Sequence, residues 1–376
     1  MKKIQMVDLH GQYQQIKMAI DSAIFGVLES TQFINGPEVK SFAQDLSNYL
    51  GGCTVIPCAN GTDALQIAMM ALGLQPGDEV ITADFTYVAT AEVIALLQLT
   101  PVLVDVDPKT FGIDLNALKA AITPKTKAIV PVHLFGQCAP MEEIMAIAKE
   151  FNLFVIEDTA QATGADYTFA DGSTKKAGTI GTIGTTSFFP SKNLGCYGDG
   201  GAIFTSDLAL AEKIRMVANH GQKVQYFHDE IGVNSRLDAI QAAVLRVKLP
   251  LLDSYSAARM QVANFYDSHL SELESLIRPT RALYSNHVFH QYTLQVLHGQ
   301  RDELRNFLKE FEIPSMVYYP LPLHQQKAYK QDRFTDDMFP VSEALCKSVL
   351  SLPISTEMDE EQLNFICATI KKFYHN

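Results

Sequence analysis

Residues 54–106 read TVIPCANGTDALQIAMMALGLQPGDEVITADFTYVATAEVIALLQLTPVLVDV, and their alternation decides the fold. Three short apolar runs, Val55–Cys58, Glu79–Ala83 and Pro101–Val106, are separated by two stretches of helical periodicity, Asp63–Leu72 and Val88–Leu97. Strands this continuously hydrophobic have no solvent face, so helices must cover both sides of the sheet they form. Ala128–Val132, Leu153–Glu157, Thr185–Phe189 and Ala202–Thr205 repeat the strand pattern, and Met141–Glu150 repeats the helical one. Seven such strands predict one large α/β unit around a mostly parallel sheet.

On the amino-terminal side, residues 11–50 read as two helical stretches broken at Asn35-Gly36-Pro37, a turn signal. Gly164–Gly184, rich in glycine and threonine, reads as a loop or hairpin excursion. Arg236–Lys248 is helical, Pro250 breaks or kinks it, and a second helix follows over Ser254–Leu270. Beyond it, Gln291–Leu297 and Ser315–Tyr319 read as strands, and Glu303–Phe311 and Asp359–Phe373 as helices. The expected division is a large domain over 1–250, including the amino-terminal helical segment, and a smaller α+β domain over 251–376.

The 376 residues suffice for a large core, and 47% hydrophobic with 19% charged residues fits a compact soluble chain. A net charge of −12 argues against nucleic-acid and membrane-surface binding, which need a basic patch, but leaves small anionic substrates open. Cys53, Cys58, Cys138, Cys196, Cys346 and Cys367 are scattered without a CxxC pair, so packing is expected rather than metal or disulfide chemistry. The first residues, MKKIQMVDLHGQYQQ, have no apolar signal core, and no run has the length of a membrane span. The expected compartment is the cytoplasm.

Ligands of open α/β sheets bind beyond the carboxyl ends of the strands, so the residues just past each strand are where a site would form. Lys192 stands between the run Ser187-Phe188-Phe189-Pro190 and a turn holding Gly195, Gly198, Gly200 and Gly201. Desolvation favours a neutral amine, so Lys192 reads either as a Schiff-base nucleophile or as an ordinary loop lysine. Gly61-Thr62 begins the helix after the first strand and reads as a phosphate cradle or as a plain capped helix. Tyr87, just past the second strand, could cover a flat ring or belong to the core. Asp158 ends an apolar strand, where its carboxylate needs a cation such as a protonated pyridine nitrogen, or else caps the next helix. Together these four supply an amine, a ring partner, a phosphate cradle and a stacking face along one sheet edge.

The chain also resembles the DegT/StrS-type sugar aminotransferases, pyridoxal 5′-phosphate enzymes of the aspartate aminotransferase fold (type I). The resemblance runs over nearly the whole chain, through ANGTDAL, PGDEVITADFTYVATAE, VIEDTAQATGA, TSFFPSKNLGCYGDGGAIFT, GVNSRLDAIQAAVL and YYPLPLHQQKAY. It implies that Lys192 is the Schiff-base lysine, that Asp158 partners the pyridine nitrogen, and that Gln161 lies near the phenolic oxygen. It further implies Tyr87 as the stacking ring and Gly61, Thr62 and Ser187 as phosphate donors. Asn234 matches a phosphate contact supplied by the neighbouring subunit, so the resemblance implies a homodimer with shared active sites. A related dehydratase branch carries histidine where this chain has Lys192. L-glutamate is the amino donor in most of the family, and a nucleotide-diphosphate ketosugar is the acceptor.

ANGTDAL, VHLFGQ and CYGDGG resemble the branch that aminates C3. Within it, CANGTDALQIA, FTYVATAE and FFPSKNLGCYGDGGAIFT look closest to UDP-2-acetamido-2-deoxy-3-oxo-glucuronate aminotransferases of surface polysaccharide (O-antigen) biosynthesis. The competing substrate is a dTDP-3-keto-6-deoxyhexose. A uronate requires a cation, and Arg236 is the candidate, its other reading being a helix-start salt bridge. His220, Tyr319 and His324 are candidate sugar contacts by motif position. No metal site is expected. Two readings from other classes remain: a non-catalytic regulatory protein that binds the same cofactor, and a colourless binding module that does not.

Overall fold

The computed structural model describes residues 2–375. At its centre lies a seven-stranded sheet made of β1 (Thr54–Cys58), β2 (Glu79–Ala83), β3 (Thr100–Val104), β4 (Thr126–Val130), β5 (Phe154–Asp158), β6 (Ile183–Ser187) and β7 (Gly201–Thr205). Their spatial order is β1-β7-β6-β5-β4-β2-β3. β2 to β6 pair in parallel, and β7 runs against both β6 and β1. Six strands therefore share one direction, and their carboxyl ends open onto one edge.

The two-residue period of the strands fills two cores. Val80, Val130 and Ile156 face one, packed with Leu65, Ile67 and Ile94 from the helices Gly61–Ala71 and Ala89–Leu96. Their neighbours Ile81, Ile129 and Val155 face the other, packed with Ile144 and Ala148 from the helix Met141–Phe151. Burial on both faces is why these strands carry no alternating polar residues.

A second, antiparallel sheet is formed by Leu276–Ile277, Tyr292–Val296 and Val349–Leu352. It shares a separate core with the helices Leu252–His269, Arg301–Glu310 and Glu360–His375. Ile4 is buried in this same core, and Ile354 N donates to Met6 O. The first residues thus pack on the carboxyl-terminal unit, whereas the expected division assigns them to the large one.

Two expectations change in detail. Ser315–Tyr319 is not a strand; a single bridge joins Met316 to Ser351, and the place beside Tyr292–Val296 is taken by Val349–Leu352. The helix expected from Arg236 begins at Ala239, because Asp238 is extended at φ −70°, ψ 145° and stands at its cap. Gly164–Gly184 does contain a hairpin, Asp166–Thr168 against Thr174–Lys176. Among the described residues no helix is long and apolar enough to cross a membrane.

Candidate active site

The helix Gly61–Ala71 starts directly beyond β1. Asn60 is its cap, extended at φ −166°, with its side chain accepting from Asp63 N at 2.8 Å. Among the described residues the N–H groups of Gly61 and Thr62 donate to nothing, leaving two aligned donors at a helix amino terminus. A Cβ on Gly61 would stand 2.7 Å from Ser187 Cβ, so glycine is what lets the end of β6 close against this turn. The Ser187 hydroxyl is thereby brought beside the two free N–H groups. Ser235 Oγ holds the turn from behind by accepting from Ala59 N at 3.0 Å.

Lys192 lies beyond β6 in a tight turn in which Lys192 N donates to Phe189 O at 2.8 Å. Burial pushes its ammonium down to about 8, opposed by the attraction of Asp158. It joins no ion pair among the described residues. Asp158, the last residue of β5, is buried and, among the described residues, its side chain accepts only from Ala160 N at 3.0 Å and Thr90 Oγ1 at 3.3 Å. Burial raises its carboxyl above the ordinary aspartate value; the Ala160 N–H and the charge of Lys192 pull it back only in part.

Gln161 accepts from Phe135 N at 2.7 Å through Oε1 and donates through Nε2 to Tyr319 Oη at 3.1 Å, which orients its amide. Tyr319 lies 6.3 Å from Tyr87 between ring centroids, and Tyr87 is 56% exposed, so one aromatic face stays open at the sheet edge. The edge therefore brings together Gly61, Thr62, Tyr87, Asp158, Gln161, Ser187, Lys192 and Tyr319.

Among the described residues the other candidates share no hydrogen bond or ion pair with this group. Asn234 is exposed and bridges Asn219. Arg236 Nη1 lies 3.2 Å from Asp238 Oδ1, the helix-start pair that sequence allowed as one of its two readings. His220 is exposed, and its carbonyl lies 2.8 Å from His228 Nδ1. His324 is buried, with Nδ1 2.7 Å from Asp84 Oδ2 and its ring stacked 4.3 Å from Phe339. Thr90, Phe135 and Ser235, which hold Asp158, Gln161 and the cradle, lie inside the motifs that carry the family resemblance, but the resemblance assigns them no role.

Pyridoxal 5′-phosphate fits this arrangement on the structure's own terms. Two free N–H groups and a hydroxyl suit its phosphate, a buried carboxylate without an ion pair suits its ring nitrogen, and a desolvated amine suits its aldehyde. Volume alone would mislead. A hollow of about 510 Å³ lies at the opposite end of the sheet against Thr126, Lys127 and Phe154 and presents no such set.

Comparison with known proteins agrees with the geometry. A family model described as the DegT/DnrJ/EryC1/StrS aminotransferase family matches residues 14–371. A pleiotropic regulatory protein of Geobacillus stearothermophilus is 47% identical over 99% of both chains. The UDP-2-acetamido-2-deoxy-3-oxo-D-glucuronate aminotransferase of Pseudomonas aeruginosa is 46% identical over 98% of this chain and 99% of its own. The crystal structure of ntda from Bacillus subtilis with bound cofactor PMP has a TM-score of 0.92 at 30% identity, covering all of this chain and 86% of that one.

Proposed function

The chain belongs to the DegT/DnrJ/EryC1/StrS aminotransferase family, and from that premise we propose that it moves the amino group of L-glutamate to C3 of UDP-2-acetamido-2-deoxy-3-oxo-glucuronate. It is a sugar aminotransferase of fold type I whose cofactor is pyridoxal 5′-phosphate. The observation that carries the reading is Lys192, desolvated within the field of Asp158 at the carboxyl ends of β5 and β6.

When bound, pyridoxal 5′-phosphate supplies an aldehyde on which amines exchange and a ring that accepts the electron pair of a Cα–H bond. The residues do the rest. With its ammonium near 8, Lys192 is neutral in roughly one molecule in ten at pH 7, so Nζ can take up a proton and return it. The Asp158 carboxylate holds a proton on the ring nitrogen, and that positive charge is the partner its own burial requires. Gly61 N, Thr62 and Ser187 Oγ bind the phosphate, Gln161 orients toward the phenolic oxygen, and the Tyr87 ring shields one face from water. Asn234 completes the phosphate site of a second copy, which makes the working unit a homodimer. Arg236 travels with Asn234 and binds the uronate carboxylate. His220, Tyr319 and His324 shape the sugar pocket, with His324 acting through Asp84. Residues 1–250 carry the cofactor site, and Tyr319 from residues 251–376 meets Gln161 there. The product enters surface polysaccharide synthesis in the cytoplasm.

Support for this sugar comes from the P. aeruginosa relative and the C3-branch motifs. A dTDP-3-keto-6-deoxyhexose is the alternative substrate. The G. stearothermophilus relative favours a second reading, a regulator; the complete set of Lys192, Asp158 and Gln161 speaks for turnover. The test is incubation with glutamate and a panel of UDP- and dTDP-linked 3-ketosugars, read by mass spectrometry. The 3-amino uronate and 2-oxoglutarate are expected. Amination of the 6-deoxy sugars alone would replace the substrate, and full transamination by Lys192→Ala would overturn the mechanism.

A further inference from the structure

We propose that Lys248 is a positioning residue for Lys192: its ammonium holds the carbonyl of Gly195 and so fixes the turn that delivers the reactive amine. This inference rests on the reading of Lys192 given above.

Lys248 ends the helix Ala239–Lys248, yet its side chain is 1% exposed. Nζ donates to Gly195 O at 2.6 Å and sits 5.3 Å from the centroid of the Tyr197 ring. Among the described residues it meets no carboxylate. The groups facing it are the Cys196 thiol and Tyr197 from the turn, and Arg259, a second cation, from the helix Leu252–His269. Burying an ammonium beside another cation is less favourable than burying an aliphatic chain of the same length, so stability does not account for a lysine here. Its location does. The same helix grips the turn again through Gln241, whose Oε1 accepts from Tyr197 N at 2.8 Å. Gly198 leaves room for that contact, since a Cβ there would stand 3.0 Å from Gln241 Nε2. Among the described residues, the ties that reach outside the turn from residues 192–197 are Asn193 Nδ2 to Val288 O at 2.9 Å, Lys248 to Gly195 O, and Gln241 to Tyr197 N and O. Removing the second would strip the Gly195 carbonyl of that donor and leave its peptide held through Cys196 N to Phe188 O at 2.8 Å. Lys192, then less tightly held among Asp158 and His290, would be better hydrated.

The variant Lys248→Met keeps the stem and removes the ammonium. Three quantities are read: the thermal midpoint, kcat and KM for the glutamate half-reaction of the holoenzyme, and the pH dependence of Lys192 acetylation in the cofactor-free chain by peptide mass spectrometry. The expected result is an unchanged or higher midpoint, kcat lowered by about tenfold with KM within about twofold, and a Lys192 midpoint displaced upward from about 8. Lys248→Arg, which keeps a donor, should recover part of kcat. Unchanged kcat and an unmoved Lys192 midpoint would overturn the proposal, as would an activity loss that only tracks a fallen thermal midpoint. If Lys248→Met does not fold, Lys248→Gln is judged by the same readouts. An active Lys192→Ala enzyme would instead defeat the underlying reading, which separates the two failures.

Discussion

Two neighbouring carboxylates at the end of β5 point to opposite faces of the sheet and meet opposite treatment. Glu157 is fully buried and accepts from His133 Nε2 at 3.0 Å, Gly178 N at 2.9 Å, Ile180 N at 2.7 Å and Gly181 N at 2.5 Å. Burial pushes its carboxyl up, but the His133 hydrogen bond and the loop N–H groups more than offset that, leaving it below the usual glutamate value. His133 Nδ1 accepts from Ala139 N at 3.0 Å, which leaves Nε2 as the nitrogen that donates to Glu157. Asp158 is also buried, has two hydrogen-bond donors among the described residues, and is held above its usual value. A carboxylate that the fold satisfies completely is architecture. One that it underserves is where a ligand must bring the missing charge.

Exchanging the two roles gives the largest expected effects. Asp158→Asn should lower kcat by about 10³-fold, in the range of losing a preorganised charge at a reacting centre, while leaving the thermal midpoint of the cofactor-free chain unchanged or raised. Glu157→Gln should do the reverse, losing about 3 kcal/mol of stability because a buried network keeps its donors and loses its anion. Its kcat per folded molecule should stay within a few fold. Urea melts and single-turnover assays on both variants decide this; a dead but fully stable Glu157→Gln enzyme would erase the distinction.

A smaller effect, on the order of 1 kcal/mol, comes from pH. Glu157 has a depressed folded value, so its stabilisation is present above the ordinary glutamate value of 4.5 and disappears as pH falls through the folded value. Asp158 has a raised folded value, so in the cofactor-free chain it subtracts stability at neutral pH, and the penalty fades as pH falls toward 3.8. Cofactor-free Asp158→Asn should therefore exceed wild type in urea resistance at pH 7 and converge with it near pH 4. Saturating cofactor should reverse the order at pH 7. Parallel curves at all pH values would show that Asp158 is not strained.

The sequence made Asp158 visible and hid Glu157. Strand positions, burial on both faces and the chemistry at strand ends are written in runs of five to ten residues, so the seven strands of the large sheet and Gly61, Thr62, Tyr87, Asp158 and Lys192 could be read directly, whereas Gln161, Ser187 and Tyr319 entered only through the family resemblance. Whether a carboxylate is satisfied depends on groups far along the chain: His133 stands 24 positions from Glu157, and Lys248 stands 53 from Gly195. The same limit explains Ser315–Tyr319, whose β-rich composition suits a strand although Val349–Leu352 occupies the neighbouring position. It also explains Ile4, an isolated apolar residue whose core is chosen by the return of the chain near Ile354. His324 was legible as part of a motif, but its pairing with Asp84, 240 residues away, was not.

A second contrast, between a buried arginine and an exposed one, sets the last and smallest prediction. Arg259 is buried, with Nη1 shared among the carbonyls of Phe289, His290 and Ile354 at 3.2, 3.3 and 3.2 Å, and burial pushes its guanidinium down to about 10. It ties three segments together. Arg236 has a side chain 38% exposed and one partner, Asp238, whose own side chain is 61% exposed. An exposed pair of this kind contributes about 0–1 kcal/mol, so the structure does not depend on it. If Arg236 binds the uronate carboxylate, Arg236→Leu should leave the thermal midpoint in place and lower kcat/KM for the uronate by about tenfold, a charge-assisted hydrogen bond's worth. The same variant should act normally on the matching sugar that carries a hydroxymethyl group at C5. Equal losses on both sugars would move Arg236 from substrate recognition to the interface, because a contact made only by the carboxylate cannot be felt by a substrate that lacks one.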